Sequence, residues 1–137
     1  MTCFMTVYRL GVMIKLLLAE EQENVRRGIR MRLGLENDIV IVGETDDGWD
    51  ALRLAREHSP QVVVTSIELS GMDGFQLTER LSWDIPDCRM VILSLYDDLQ
   101  TQTKASQAGA SFFVSKQESD DKLIAAIRSA AKKTRSS

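Results

Sequence analysis

Five short apolar runs punctuate the chain, at Ile14–Ala19, Ile39–Val42, Val62–Val64, Met90–Leu95 and Phe112–Val114. Most are nearly continuous in Val, Ile, Leu or Phe and do not alternate with polar residues. That is the pattern of strands buried on both faces, as in a parallel sheet. The stretches between them carry helical spacing. Asn24–Leu35 sets Val25, Ile29 and Leu33 on one face. Asp47–His58 carries Ala51, Leu52 and Ala55 and is closed by Pro60. Phe75–Leu81 is short, with Leu77 and Leu81 on one side. Asp97–Ala108 is weak: Leu99, Ala105 and Ala108 are its apolar residues, and Thr101 and Thr103 are poor helix formers. Ser119–Lys133 is strong, with Ser119 as N-cap, Asp120 and Asp121 in the first turn, and Leu123, Ile127 and Ala130 as its stripe. A strand–helix unit repeated five times predicts an α/β fold: a five-stranded parallel sheet with helices on both faces and right-handed crossovers.

Composition narrows the class. At 137 residues with 44% apolar and 27% charged side chains, the chain suits one ordinary globular domain with its own core. A net charge of −3 is not the basic footprint of a nucleic-acid binder. Cys3 and Cys88 lie too far apart in sequence for a disulfide framework or a metal-binding pair, and they suit a reducing, cytoplasmic setting. No apolar stretch is long enough to span a membrane. Residues 1–12 are read as an extension outside the fold, or as the result of a start assigned upstream of Met13. They are not a secretory signal, since the only charge is Arg9 and Lys15 interrupts the apolar run. The domain is expected over 13–134, with a tail at 135–137 too short for a DNA-binding domain. Lys132, Lys133 and Arg135 complement the dipole of the last helix.

In open α/β sheets ligands bind beyond the carboxyl ends of the strands. Glu20 and Glu21 follow the first run, Ser66 follows the third, Ser94 closes the fourth and Lys116 follows the fifth. In the usual strand order 2-1-3-4-5, Gly43-Glu44 after the second run lies further out. Two carboxylates, two hydroxyls and one ammonium therefore collect at one edge.

The stretches Leu-Leu-Leu-Ala-Glu-Glu (16–21), Val-Arg-Arg-Gly-Ile-Arg (25–30), Gly-Trp-Asp-Ala-Leu (48–52), Pro-Gln-Val-Val-Val (60–64), Gly-Met-Asp-Gly (71–74), Val-Ile-Leu-Ser (91–94) and Gly-Ala-Ser-Phe-Phe-Val-Ser-Lys (109–116) together resemble the receiver domain of bacterial two-component response regulators. The wording is nearest to receivers that precede a helix-turn-helix output domain. The resemblance covers about Ile14 to Lys133 and implies a flavodoxin-like (βα)5 fold. It implies that Glu20 and Glu21 fall where the family holds Mg²⁺, Ser94 and Lys116 where it contacts the phosphoryl group, and Phe113 where an aromatic reports the active state. It also implies a partner face made by the fourth helix, fifth strand and fifth helix, where Leu99 stands. The phosphoacceptor aspartate falls on Ser66, and Ser70 stands where the family usually has Pro.

A serine hydroxyl is neutral at pH 7 and poorly nucleophilic without a base. Its phosphate ester would be too stable for a switch. With Ser66, two carboxylates face one ammonium instead of three, so no cofactor is required and Mg²⁺ is expected to bind weakly at best. Lys116 is expected to pair with Glu20 or Glu21 and lock the pocket without metal. A Ser66–Lys116 hydrolytic dyad is disfavoured, because nearby carboxylates hold the lysine protonated. His58 reads as a dipole complement, Asp73 as a turn former, Trp49 and Trp83 as edge residues or exposed contacts, and Cys88 as a buried small hydrophobe. Phe112 and Phe113 are expected to face opposite ways.

The expected function is an atypical single-domain receiver in phosphorelay signalling. It would not be an enzyme, and would act through phosphorylation-independent contact with a protein: a histidine kinase, another regulator or a second copy as a homodimer. The alternatives are a phosphoacceptor or phosphoryl-transfer protein using another residue, or a degenerate remnant of a DNA-binding regulator.

Overall fold

The computed structural model describes residues 13–132. The proposed extension at 1–12, the tail at 135–137, and Cys3, Lys133 and Arg135 lie outside them. The elements alternate as expected: β1 (Ile14–Ala19), α1 (Glu23–Leu33), β2 (Ile39–Thr45), α2 (Gly48–His58), β3 (Val62–Ser66), α3 (Gly74–Asp84), β4 (Arg89–Ser94), α4 (Leu99–Ala108), β5 (Phe112–Ser115) and α5 (Asp120–Lys132). The five strands form one sheet in the order β2-β1-β3-β4-β5, and every pairing is parallel.

The continuous apolar runs do what two-faced burial requires. Leu16 and Leu18 of β1, with Val62 and Val64 of β3, point to one side, where Ile29 and Leu33 of α1 and Leu123 and Ile127 of α5 cover them. Leu17 and Ala19, with Val63, point to the other, beneath Ala51, Leu52 and Ala55 of α2 and Leu77 and Leu81 of α3. Side chains alternate along a strand, so consecutive apolar residues are needed to feed both layers. Full burial of one such aliphatic side chain contributes about 1.5–3 kcal/mol.

Several boundaries differ from the sequence expectation, each for a physical reason. The second strand continues past Val42 to Thr45, because an irregularity between Leu16 and Leu17 lets β1 skip one residue of its partner and resume pairing at Gly43. α3 is longer than its two leucines suggested. It starts with a capping box in which Asp73 accepts from the Gln76 N–H and the Gln76 side chain accepts from the Asp73 N–H, so the expected turn former is a helix cap. It also runs on through Trp83, which lies within the helix and is 83% exposed. Trp49 is exposed as well, with the Arg80 guanidinium 5.5 Å from its ring centre. Leu95 falls outside β4 and Leu99 is 79% exposed, so Leu99 does not anchor α4; Ala105 is that helix's one buried residue. Phe112 packs with Val114 against the core on one face of the sheet and Phe113 lies on the other, as alternation requires; both are half-buried, because β5 is the edge strand. Cys88 is buried ahead of β4, and burial pushes its thiol pKa up to about 12.

Candidate functional site

The site forms where β1, β3, β4 and β5 end together. β1 delivers Glu20 into the sheet edge, where it is 1% exposed. Its backbone is pinned from two directions. The Glu20 N–H donates to the Thr45 carbonyl at 2.9 Å, and Arg26 Nη1 donates to the Glu20 carbonyl at 2.8 Å. Arg26 Nε also lies 3.5 Å from Glu44 Oε1, which ties the start of α1 to the end of β2.

The Glu20 carboxylate gathers three donors. Lys116 Nζ lies 2.8 Å from Oε1, the Ser66 hydroxyl donates to the same oxygen, and the Gln22 N–H donates to Oε2 at 2.9 Å. A carboxylate buried this deeply needs such partners, since an unpaired one would be strongly penalised by the loss of water. Glu21, the next residue, is exposed and forms no ion pair among the described residues. The expected pairing of Lys116 with one of the two glutamates therefore falls on Glu20.

Ser66 ends β3 and is 3% exposed. α3 fixes it from behind. The Gly74 N–H donates to the Ile67 carbonyl at 2.7 Å, and a Cβ at Gly74 would sit 2.1 Å from the Ser66 carbonyl oxygen. Only a glycine lets the helix start come this close. Ser94 ends β4, but its hydroxyl does not join the cluster; it accepts the Tyr96 N–H at 3.0 Å and so shapes the turn leading to α4. Lys116 is held by its own N–H, which donates to the Ser94 carbonyl at 2.7 Å. Phe113 lies two residues before β5 ends, in register with Ile92.

A recess of about 70 Å³ opens at this edge, with Glu20, Glu21, Ser66, Glu68, Ser94 and Lys116 in its lining. Leu95 and Tyr96 are exposed beside it. The structure thus brings Glu20, Ser66 and Lys116 together, leaves Glu21 at the rim and turns Ser94 to a local turn. Leu99 lies further along, at the start of α4. Gln22 and Arg26 were not singled out from sequence. Gln22 acts through its backbone N–H, which leaves no trace in residue type, and Arg26 lay inside the Val-Arg-Arg-Gly-Ile-Arg stretch without a role. Chemically, the base on the Ser66 proton is the Glu20 carboxylate, which accepts the hydroxyl and is already paired with the Lys116 ammonium, an arrangement that weakens it as a proton acceptor.

A doubly wound α/β domain with an acidic residue, two hydroxyls and a lysine at the carboxyl edge of its sheet is the architecture of a signalling receiver. The chain belongs to the response regulator receiver domain family, which matches residues 16–128. Among similar proteins, the transcriptional regulatory protein LiaR of Bacillus subtilis is 32% identical over 120 residues, covering 88% of this chain and 57% of that protein. The response regulator GacA of Pseudomonas aeruginosa is 33% identical over 116 residues, covering 85% and 54%. The chain therefore spans about half the length of these relatives. Among solved structures, the signal receiver domain of NarL from Mycobacterium tuberculosis superposes with a TM-score of 0.83 at 29% identity, covering 88% of this chain and 98% of that one.

Proposed function

We propose that this chain is an atypical receiver of two-component signalling that acts by contact with a protein rather than by ordinary phosphoacceptor chemistry. The observation that carries the reading is Ser66: a buried neutral hydroxyl at the end of β3, where the resemblance places the phosphoacceptor aspartate. An acceptor carboxylate attacks as an anion and yields a labile acyl phosphate. Ser66 instead donates a hydrogen bond to a carboxylate that Lys116 already neutralises. On this reading the chain is not an enzyme and needs no cofactor. The partner is a histidine kinase, another regulator or a second copy. The exposed apolar residues Leu95, Tyr96 and Leu99 mark the face that meets it. Among the described residues no helix is long and apolar enough to cross a membrane.

Incubation with Mg²⁺ and a small phosphoryl donor, followed by intact mass measurement, tests this. No gain of a phosphoryl mass is expected. A hydroxylamine-labile gain would overturn the reading. The Ser66→Asp variant, treated in parallel, reports whether the hydroxyl alone silences the pocket.

A further inference from the structure

The receiver family implies a divalent cation at the acidic pair, and the residues here do not fit one. Mg²⁺ takes oxygen ligands in near-octahedral geometry and keeps several waters. A carboxylate offers about four lone-pair positions. On Glu20 three are engaged, by Lys116 and Ser66 on Oε1 and by the Gln22 N–H on Oε2, and the side chain is 2% exposed, leaving one position on Oε2 and little room for a hydrated ion. Glu21 stands apart at the rim. Among the described residues no three His, Cys, Asp or Glu side chains converge as a metal-holding group.

Resting on the reading above, we infer that the Lys116 ammonium stands in for the divalent cation: it neutralises Glu20 from within and thereby shuts the pocket to metal. The placement is specific. Lys116 reaches Glu20 from β5, across the ends of the intervening β4 and β3, and Glu20 meets it from β1. The two groups at the sheet edge that could bind a cation and an anion, respectively, are used on each other. A cation brought to Glu20 would meet a like-charged group already 2.8 Å from Oε1 of the same carboxylate. This differs from a pocket that lacks affinity merely because one carboxylate is missing. In that case removing Lys116 would change nothing. If the ammonium is the block, removing it exposes Glu20 beside Glu21 and creates a cation site.

Mn²⁺ titration followed by the electron paramagnetic resonance of the free ion separates the two. The full chain is compared with Lys116→Met, Lys116→Gln, Lys116→Arg and Ser66→Ala. The wild type, Lys116→Arg and Ser66→Ala are expected to bind Mn²⁺ no better than isolated surface carboxylates. Lys116→Met and Lys116→Gln are expected to gain about tenfold or more in affinity, a shift of about 1.4 kcal/mol. Their thermal midpoints should rise with added Mn²⁺ while that of the wild type stays put. If Lys116→Met folds only when Mn²⁺ is present, that also supports the inference. Sub-millimolar binding by the wild type overturns it, and so does the absence of any gain in both neutral variants. The mass experiment fails or succeeds independently: phosphoryl labelling would sink the reading of Ser66, whereas metal titration reads Lys116 alone.

Discussion

Replacing Lys116 by Met leaves the Glu20 carboxylate buried with only a hydroxyl and one N–H for partners. At 2.8 Å the pair's gross attraction is about 6 kcal/mol at an effective dielectric of about 20. Desolvation offsets much of this, and breaking such a buried pair from one side costs about 3–5 kcal/mol. The reverse change is milder. Lys116 is 16% exposed against 2% for Glu20, so in Glu20→Gln the freed ammonium can swing its flexible stem towards water. That variant loses one charged hydrogen-bond partner, about 1.5–3 kcal/mol. The double variant Glu20→Gln/Lys116→Met, with no buried charge left, is expected to fall close to the milder single one. Urea denaturation of all four proteins at pH 7 closes the cycle. If Glu20→Gln proves more damaging than Lys116→Met, or if Lys116→Met costs less than about 1 kcal/mol, the pair is not the buried contact described.

Gly74→Ala places a methyl 2.1 Å from the Ser66 carbonyl, a backbone atom that cannot step aside, and is expected to cost about 1–3 kcal/mol or more by urea titration. A cost below about 0.5 kcal/mol would show that α3 and β3 are less tightly apposed. Far from the site, hydrogen bonding from the Arg128 guanidinium holds the Asp38 carboxyl below its ordinary value of 3.8, and Glu36 is lowered by Arg32 first and Arg128 second. Carboxyls lowered on folding stabilise the fold fully above their unfolded values, and that stability is lost as pH falls through the folded ones. Arg128→Met should therefore flatten the acid limb of the stability curve below about pH 4, with the Asp38 share no more than about 1 kcal/mol because the pair is part-exposed. Unchanged limbs in the two proteins would refute the assignment.

The layered fold was legible because burial on both faces writes an unmistakable pattern. Ile14–Ala19 needs both Leu16 and Leu17 apolar, and no surface strand or amphipathic helix does. What misled was apolarity without context. Leu99 is one of α4's few apolar residues, yet it lies six and nine residues before Ala105 and Ala108, on a different face of the helix, and is 79% exposed. Trp83 and the end of α3 were missed for the opposite reason. Ser82, Trp83 and Asp84 add no apolar stripe, and the helix persists there because the Ile85 N–H still donates to the Leu81 carbonyl.

The candidate site was legible as a set of residue types but not as a set of bonds. Position after a strand end is enough to bring Glu20, Ser66, Ser94 and Lys116 to one edge. Which glutamate Lys116 takes is decided by burial: Glu20 is enclosed, whereas Glu21 is left in solvent. On the proposed reading the departures at this edge belong together. A serine is shorter than an aspartate and leaves space and an uncompensated lysine. A glutamate, one methylene longer than an aspartate, can fill that space and supply the charge. The anionic partner of Lys116 thus stands at the end of the first strand, and the hydroxyl at the end of the third is a donor to it. An aspartate restored at position 66 would then meet Glu20 in competition for one ammonium, so the route back to a working acceptor runs through position 20 as well as position 66.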